Sequence, residues 1–391
     1  MNASPEQVSA GPATGPGRAV VVAVLVAISV GAVAVRAASW DFVSFDYRDF
    51  LFSWFNQLDA GGGFRALDQV VGNYTPPYIY ITAALTYLPM DSLHSIKLVS
   101  CALDFVLAAV IARFVWDRYR DWWATAGAYA AVLFAPTVVL NSSAWAQSDV
   151  IYTTLMLTGV YLYTREKPLP ATVLMGLAFS FKLQFIFISP LLLVLWLRGR
   201  MSLRHFFLIP ATYVVCLVPA AIAGRSISEM LKIYVNQGNE YGALSLYAPS
   251  AYAFLHGTPP DWLSPVGVLV AGVVVLASVG LLWLTKVDLD TETLVLVALY
   301  FTILVPFLLP HMHDRYFYPA DMLALLYALL RPQRWYLPVL VIGSSLICYF
   351  PYLFNQTPLP IPLAASLMGV ALLAAGYDLW AKTRYGSRTV S

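Results

Sequence analysis

Residues 294–330 read LVLVALYFTILVPFLLPHMHDRYFYPADMLALLYALL. Two hydrocarbon runs enclose PHMHDRYFYPAD (310–321), which carries two histidines, two carboxylates and an arginine. Each of those groups loses a costly hydration shell if it sits between apolar segments. The flanks decide the fold class, and the insert raises the question of function.

The same pattern fills the chain. Of its 391 residues 60% are apolar and 11% charged, whereas soluble domains carry about 25% charge. The apolar residues fall in blocks of roughly 15–22, the length of membrane helices. These blocks are 19–38, 94–115, 123–140, 148–164, 170–182, 185–197, 206–223, 263–284, 293–309, 317–331, 335–352 and 361–380. They predict an all-α polytopic membrane protein with about 11–13 transmembrane helices and one transmembrane domain over residues 19–391. Residues 1–18 are small, polar and rich in Pro and Gly, and read as a disordered cytoplasmic tail. With no basic stretch before Arg18, run 19–38 reads as a retained anchor, not a cleaved signal.

Twelve crossings place WDRYRDWW, TREKPLP, RGRMSLRH, LTK, RPQR and KTRYGSR on one side, together with both termini. They hold most of the Lys and Arg, so that side is expected to be cytoplasmic. Opposite lie loops 39–93, 141–149, 224–262, 353–360 and the segment around 310–318. A net charge of +2 gives no footing for a nucleic-acid partner. Cys101, Cys216 and Cys348 all sit in apolar runs without CxxC spacing, so neither a disulfide framework nor a thiolate metal site is indicated.

The polar residues that topology does not explain gather on the non-cytoplasmic side. In SWDFVSFDYRDFLFSWFNQLDAGGGF (39–64), Phe50, Trp54 and Leu58 recur at helical spacing beside Leu51 and Phe55. That predicts an interfacial amphipathic helix stopped by the glycines at 61–63. Asp46 and Asp49, three apart, would share a face and a cavity. Next comes GNYTPPYIY, where Pro76 and Pro77 can open a second helix. In NSSAWAQSD (141–149), Trp145 reads as an interfacial aromatic. Gln147 and Asp149 open the following span, where a carboxylate suits the helix N-terminus.

In AFSFKLQFIFISP (178–190), Lys182 and Gln184 interrupt nearly thirty apolar residues. A snorkelling lysine is the bland alternative; a buried anion partner is the expectation. In HMHDRY, zinc would need further ligands, and the other histidines are His94, His205 and His256, with His205 on the wrong side. If the segment is helical, His311, Asp314 and Arg315 share a face, the carboxylate steadying a guanidinium that offers its fork to a phosphate.

The ordered set DYRDF, NYTPPYIY, WAQSD, FKLQ and HMHDRYFYPAD resembles membrane-integral glycosyltransferases of the GT-C superfamily. It is most similar to bacterial mannosyltransferase-like members and to the glucosyltransferases of asparagine-linked glycan assembly in the endoplasmic reticulum. In those a His-x-His-Glu-Lys/Arg motif takes the late position, so Asp314 here stands where Glu is usual. The motifs run from residue 46 to 321, most of the chain.

The resemblance implies a GT-C fold and inverting transfer of a hexose, mannose or glucose, from a polyprenyl-phosphate donor to a lipid-linked or cell-envelope glycan acceptor. The reaction would occur at the outer face of a bacterial plasma membrane. By this reading Asp46 is the catalytic carboxylate and Asp49 a helper. Lys182 and Arg315 hold the donor phosphate with His311 or His313 beside them. Tyr74, Trp145, Gln147, Asp149, Gln184, Asp314 and Tyr316 contact substrate, with Tyr74, Trp145 and Tyr316 placed to pack on sugar rings. Loop 224–262 would shape acceptor choice. No cofactor is expected, although a divalent cation at the acidic pair is compatible with the residues. The competing reading is a transporter or flippase of a lipid-linked or anionic substrate. It would need polar residues continuing through the spans, and only Asp104 at mid-depth suggests that.

Overall fold

The computed structural model describes residues 17–238, 242–255, 257 and 259–386. Residues 1–16 of the expected disordered tail lie outside these, as does His256. The first span is α1 (Arg18–Ala37), followed by a π-helical turn, Tyr47–Leu51, that runs straight into α2 (Phe52–Ala60). Of the five residues at helical spacing, Leu51, Phe55 and Leu58 are buried on this element, Trp54 is half-buried and Phe50 is exposed. The glycines then end it: Gly62 and Gly63 take φ of +81° and +66°, left-handed values that a side chain resists.

Two prolines in its first turn open α3 (Pro76–Leu85), where a missing N–H costs nothing. Next come α4 (Ser92–Tyr119) and α5 (Trp122–Leu133), each begun by an aspartate, Asp91 or Asp121, whose side chain accepts a first-turn N–H. Pro136 interrupts the third apolar run, 123–140, so the short α6 (Pro136–Val139) leaves α5 at a bend of 48°.

The chain continues through α7 (Asp149–Thr164), α8 (Pro168–Phe181), α9 (Ser189–Leu197), α10 (Arg204–Ala223) and α11 (Ile227–Gly238). After these come α12 (Leu263–Leu284), α13 (Thr291–Leu308), α14 (Tyr318–Leu330), α15 (Tyr336–Phe354) and α16 (Ile361–Gly386). Every apolar run of the sequence is helical. Among the described residues, however, only seven helices are long and apolar enough to cross a membrane alone, and the bent pair at 122–144 makes an eighth. The remainder are short for a hydrocarbon layer of about 30 Å, which takes about 20 helical residues. Among them, α7 and α14 are buried almost throughout by their neighbours.

The centre of the bundle is α4, α7, α13 and α14, with α14 touching the other three. Their starts and ends carry the loops that meet at the site. The late segment departs from the helical reading of HMHDRY. Met312–His313 is a short strand, β2, paired in parallel with β1 (Ser245–Leu246) in the register Ser245↔Met312 and Leu246↔His313. Residues 314–317 then turn into α14. Residues 245–246 are thereby fastened to the late segment.

Candidate active site

Asp46 stands at the head of the π-helical turn and lines a cavity of ≈ 250 Å³. Three donors converge on its Oδ2: Trp145 Nε1 at 2.9 Å, Gln147 Nε2 at 2.7 Å and Arg315 Nη1 at 2.9 Å. Oδ1 takes none of these three bonds. Ala146, between the two loop donors, has φ +62°. That strained conformation turns Trp145 and Gln147 toward the same oxygen, and strain of this kind persists only where the surroundings impose it.

Lys182 and Arg315 meet a second carboxylate. Asp149, wholly buried at the start of α7, accepts from Lys182 Nζ at 2.5 Å on Oδ1 and from Asn141 Nδ2 at 3.0 Å on Oδ2. Arg315 Nε lies 3.7 Å from the same Oδ2. Lys182 sits where α8 ends in extended backbone, φ −148°, so its ammonium turns off the helix axis into the cavity. The anion partner expected for Lys182 is therefore Asp149. Lys182 also lies over the ring of Tyr74, at 5.6 Å from its centroid. Two carboxylates and two cations thus share one network, so the site is close to neutral before any anion arrives.

Gln147, Tyr74, Gln184, His313 and Tyr316 line the cavity as well. Burial, reinforced by the charges of Arg315 and Lys182, pushes the His313 imidazole down to about 3. His313 is a neutral ring that can donate to an anion without adding charge. Its ring packs 5.2 Å from that of Tyr316.

Several assignments need correction. Trp145 is not an interfacial aromatic: it is buried beneath Arg315, whose Cζ is 5.4 Å from its ring centroid, and serves as a donor to Asp46. Asp149 does stand in the first turn of α7, as read, but its side chain is also the counterion of the two cations. Asp49 does not share the cavity. It is half exposed and pairs with Arg48 at 2.9 Å, because an i→i+5 turn holds more residues than an α turn and swings position 49 away from 46.

His311 is also outside the cavity. With φ +63°, it bonds Ser264 Oγ at 2.8 Å and the Ala243 carbonyl at 2.9 Å, and so holds the two loops together. Asp314 does not grip the guanidinium; its Oδ1 accepts the backbone N–H of Arg315 at 2.8 Å behind the cavity. Burial holds its carboxyl well above the usual range, the charges of Asp46 and Asp149 working the same way against Arg315.

The sequence reading missed Asn141, although it heads the NSSAWAQSD stretch. It also missed Gln237, at the end of α11, whose Nε2 donates to the Asn73 carbonyl at 2.6 Å on the cavity rim. Phe50, Trp54, Phe181 and Tyr352 add aromatic lining. Only the first two had a signal, their helical spacing. The mid-depth Asp104 is closed off: Arg36 Nε and Nη2 bond its Oδ2 at 2.9 and 2.7 Å and Ser142 Oγ at 2.6 Å. Among the described residues no three His, Cys, Asp or Glu side chains gather as a metal site would require.

Residues 73–310 match the model of glycosyltransferase family 87, a family of the GT-C type, and the chain belongs to that family. The match covers Tyr74, Trp145, Gln147, Asp149, Lys182 and Gln184. Asp46 and Arg315 fall outside its bounds and join the site through the bonds described above. No curated protein sequence matches the chain.

Proposed function

We propose that this family 87 glycosyltransferase moves a hexose, mannose or glucose, from a polyprenyl-phosphate donor to a lipid-linked or cell-envelope glycan, inverting the anomeric centre. The reaction is placed at the non-cytoplasmic face of a bacterial plasma membrane. The observation that carries this reading is the pairing of Asp46 with Arg315 in a cavity that also holds Lys182.

Asp46 acts as general base. With Oδ2 held by three donors, Oδ1 is the oxygen left to take the acceptor's hydroxyl proton. As that proton leaves, the acceptor oxygen attacks the anomeric carbon from the face opposite the phosphate. A new C–O bond forms, the bond from the anomeric carbon to the phosphate oxygen breaks, and its electron pair stays on the phosphate. The leaving group gains a charge as the bond breaks, so cations fixed beside it lower the barrier. Lys182 and Arg315 supply two, His313 donates a neutral N–H, and no general acid is needed. Tyr74 and Tyr316 offer ring faces to sugars.

Transfer is tested with the purified protein in lipid vesicles, given radiolabelled polyprenyl-phosphate hexoses and membrane glycolipid acceptors. A single displacement gives a product of opposite anomeric configuration, which proton NMR reads directly. Retained configuration, or turnover only with a nucleotide sugar, overturns the proposal.

A further inference from the structure

The geometry points to Lys97 as a positioning residue for Asp46, acting from a polar face of α4. This rests on the assignment of Asp46 as the base.

Lys97 is fully buried in the second turn of α4. Its Nζ donates to three backbone carbonyls, Ser39 at 2.8 Å, Trp40 at 2.7 Å and Phe42 at 2.7 Å. An ammonium has three N–H groups, and all three are met. A buried ammonium satisfied by carbonyls of one short turn holds that turn in one shape, because releasing any carbonyl leaves a buried charge under-bonded. The turn it holds is the link between the end of α1 and Asp46.

The neighbouring positions on that face of α4 do related work. His94, Lys97, Ser100 and Asp104 lie three, three and four residues apart and so project together. The His94 ring stacks on Trp40 with centroids 5.3 Å apart, and its Nε2 meets Asp41 Oδ1 at 3.0 Å. Ser100 Oγ donates to the Gln147 carbonyl at 2.6 Å, fixing a residue whose side chain donates to Asp46. Asp104 holds Ser142 in the same loop. One helix face thus sets both the segment that carries the carboxylate and the loop that supplies two of its donors. Ser44 joins the two, donating to the Trp145 carbonyl at 2.9 Å.

The test compares Lys97→Met, Asp46→Asn and the double variant in the full-length enzyme in vesicles. Met keeps the stem and removes the donors. A base displaced by a fraction of an ångström loses turnover without losing donor affinity, so kcat should fall about 10–100-fold, with the donor KM within about twofold of wild type. In the Asp46→Asn background the same change should cost less than about twofold, because a residue acting through Asp46 has nothing left to position. Losses that multiply in the double variant, or wild-type kcat for Lys97→Met, overturn the inference. If Lys97→Met does not fold, Ser100→Ala takes its place, with an expected kcat loss of about 3–10-fold and the same non-additivity. If Asp46→Asn itself keeps wild-type turnover, the base assignment falls and takes this inference with it; if Asp46→Asn collapses and neither α4 variant matters, only this inference falls.

Discussion

Arg315 Nη1 lies 2.9 Å from Asp46 Oδ2, joining residues 269 positions apart. The proposed base and the proposed phosphate cation therefore touch, and a change at either disturbs both. Asp46→Asn keeps the shape and can still accept from its donors through the amide oxygen, but it cannot take a proton. Transfer should fall by ~10²–10⁴ while donor binding persists. Asp49→Asn, on an exposed side chain paired with its neighbour Arg48, should stay near wild type. Initial rates at saturating donor decide it, and near-normal turnover by Asp46→Asn would remove the assignment.

The pairing of Lys182 with Asp149 mixes structure with function, and paired substitutions can separate them. Lys182→Met alone leaves the buried Asp149 charge facing Arg315 at 3.7 Å without its closest counterion, and should destabilise by up to about 3–5 kcal/mol. Adding Asp149→Asn removes the stranded charge. The double variant should therefore recover thermal stability in detergent yet remain unable to bind the donor. Recovery of both would make Lys182 a purely structural cation. Arg315→Lys should still lose activity, since a lysine cannot reproduce the planar fork that reaches Asp46 and Asp149 together.

The chain's architecture was legible because hydrocarbon runs and prolines are local signals. The start at Pro76 and the stop at the glycines 61–63 fell where they were read, whereas the bend at Pro136 lies inside 123–140, which was read as one span. Lys182 and Arg315 were legible for a related reason: a charge amid apolar residues stands out by its desolvation cost. What those charges pair with is a tertiary fact. Asp149 looked like a helix-terminal acid until Lys182 and Asn141 were seen upon it, and Trp145 looked interfacial until Asp46 covered its N–H. The π-helical turn that sends Asp49 outward and the strand pairing that unwinds HMHDRY have no periodicity to betray them. Lys97 stood at the head of an apolar run, where a lysine ordinarily reaches for water.

His313 gives a pH signature with a definite sign. Its ordinary value is 6.5 and burial with two cations nearby lowers it to about 3 in the folded protein. Between those values the unfolded chain binds a proton at this position and the folded chain does not, so stability falls as pH falls through that window. His313→Gln removes that contribution. The wild type should lose more thermal stability than His313→Gln between pH 7 and pH 4. Over pH 5–8 the ring stays neutral, so the substitution should leave the shape of the pH–rate curve unchanged. An inflection near pH 6.5 that vanishes in His313→Gln would contradict this.

The proposed membrane face rests on where the basic loops lie, and it can be checked without substrate. Gln69 and Ser228 are exposed within 39–93 and 224–262, and Lys167 is exposed in the basic stretch TREKPLP. Gln69→Cys and Ser228→Cys should react with an impermeant thiol reagent added to intact cells, and Lys167→Cys only after lysis. The reverse pattern would put the cavity in the cytoplasm and make a nucleotide-sugar donor plausible.

A nucleotide-sugar enzyme commonly brings a divalent ion to its diphosphate, and such an ion needs several oxygen ligands around it. The acidic pair that would have supplied two, Asp46 and Asp49, is split by the turn that carries it. Asp46 and Asp149 both face cations instead, with Arg315 bonded to the first and Lys182 to the second. A polyprenyl-phosphate sugar carries a single negative charge, and its departing phosphate gains one more as the bond breaks. Lys182, Arg315 and a neutral imidazole offer N–H donors to that phosphate without an ion, the two cations staying paired with Asp149 and Asp46. Activity in vesicles should therefore be unchanged by EDTA, while Lys182→Ala and Arg315→Ala weaken donor binding and transfer together. If EDTA abolishes transfer and Mn²⁺ or Mg²⁺ restores it, the cation clamp is wrong. Asp46 must then be reassigned as a ligand, and the donor reconsidered as a diphosphate.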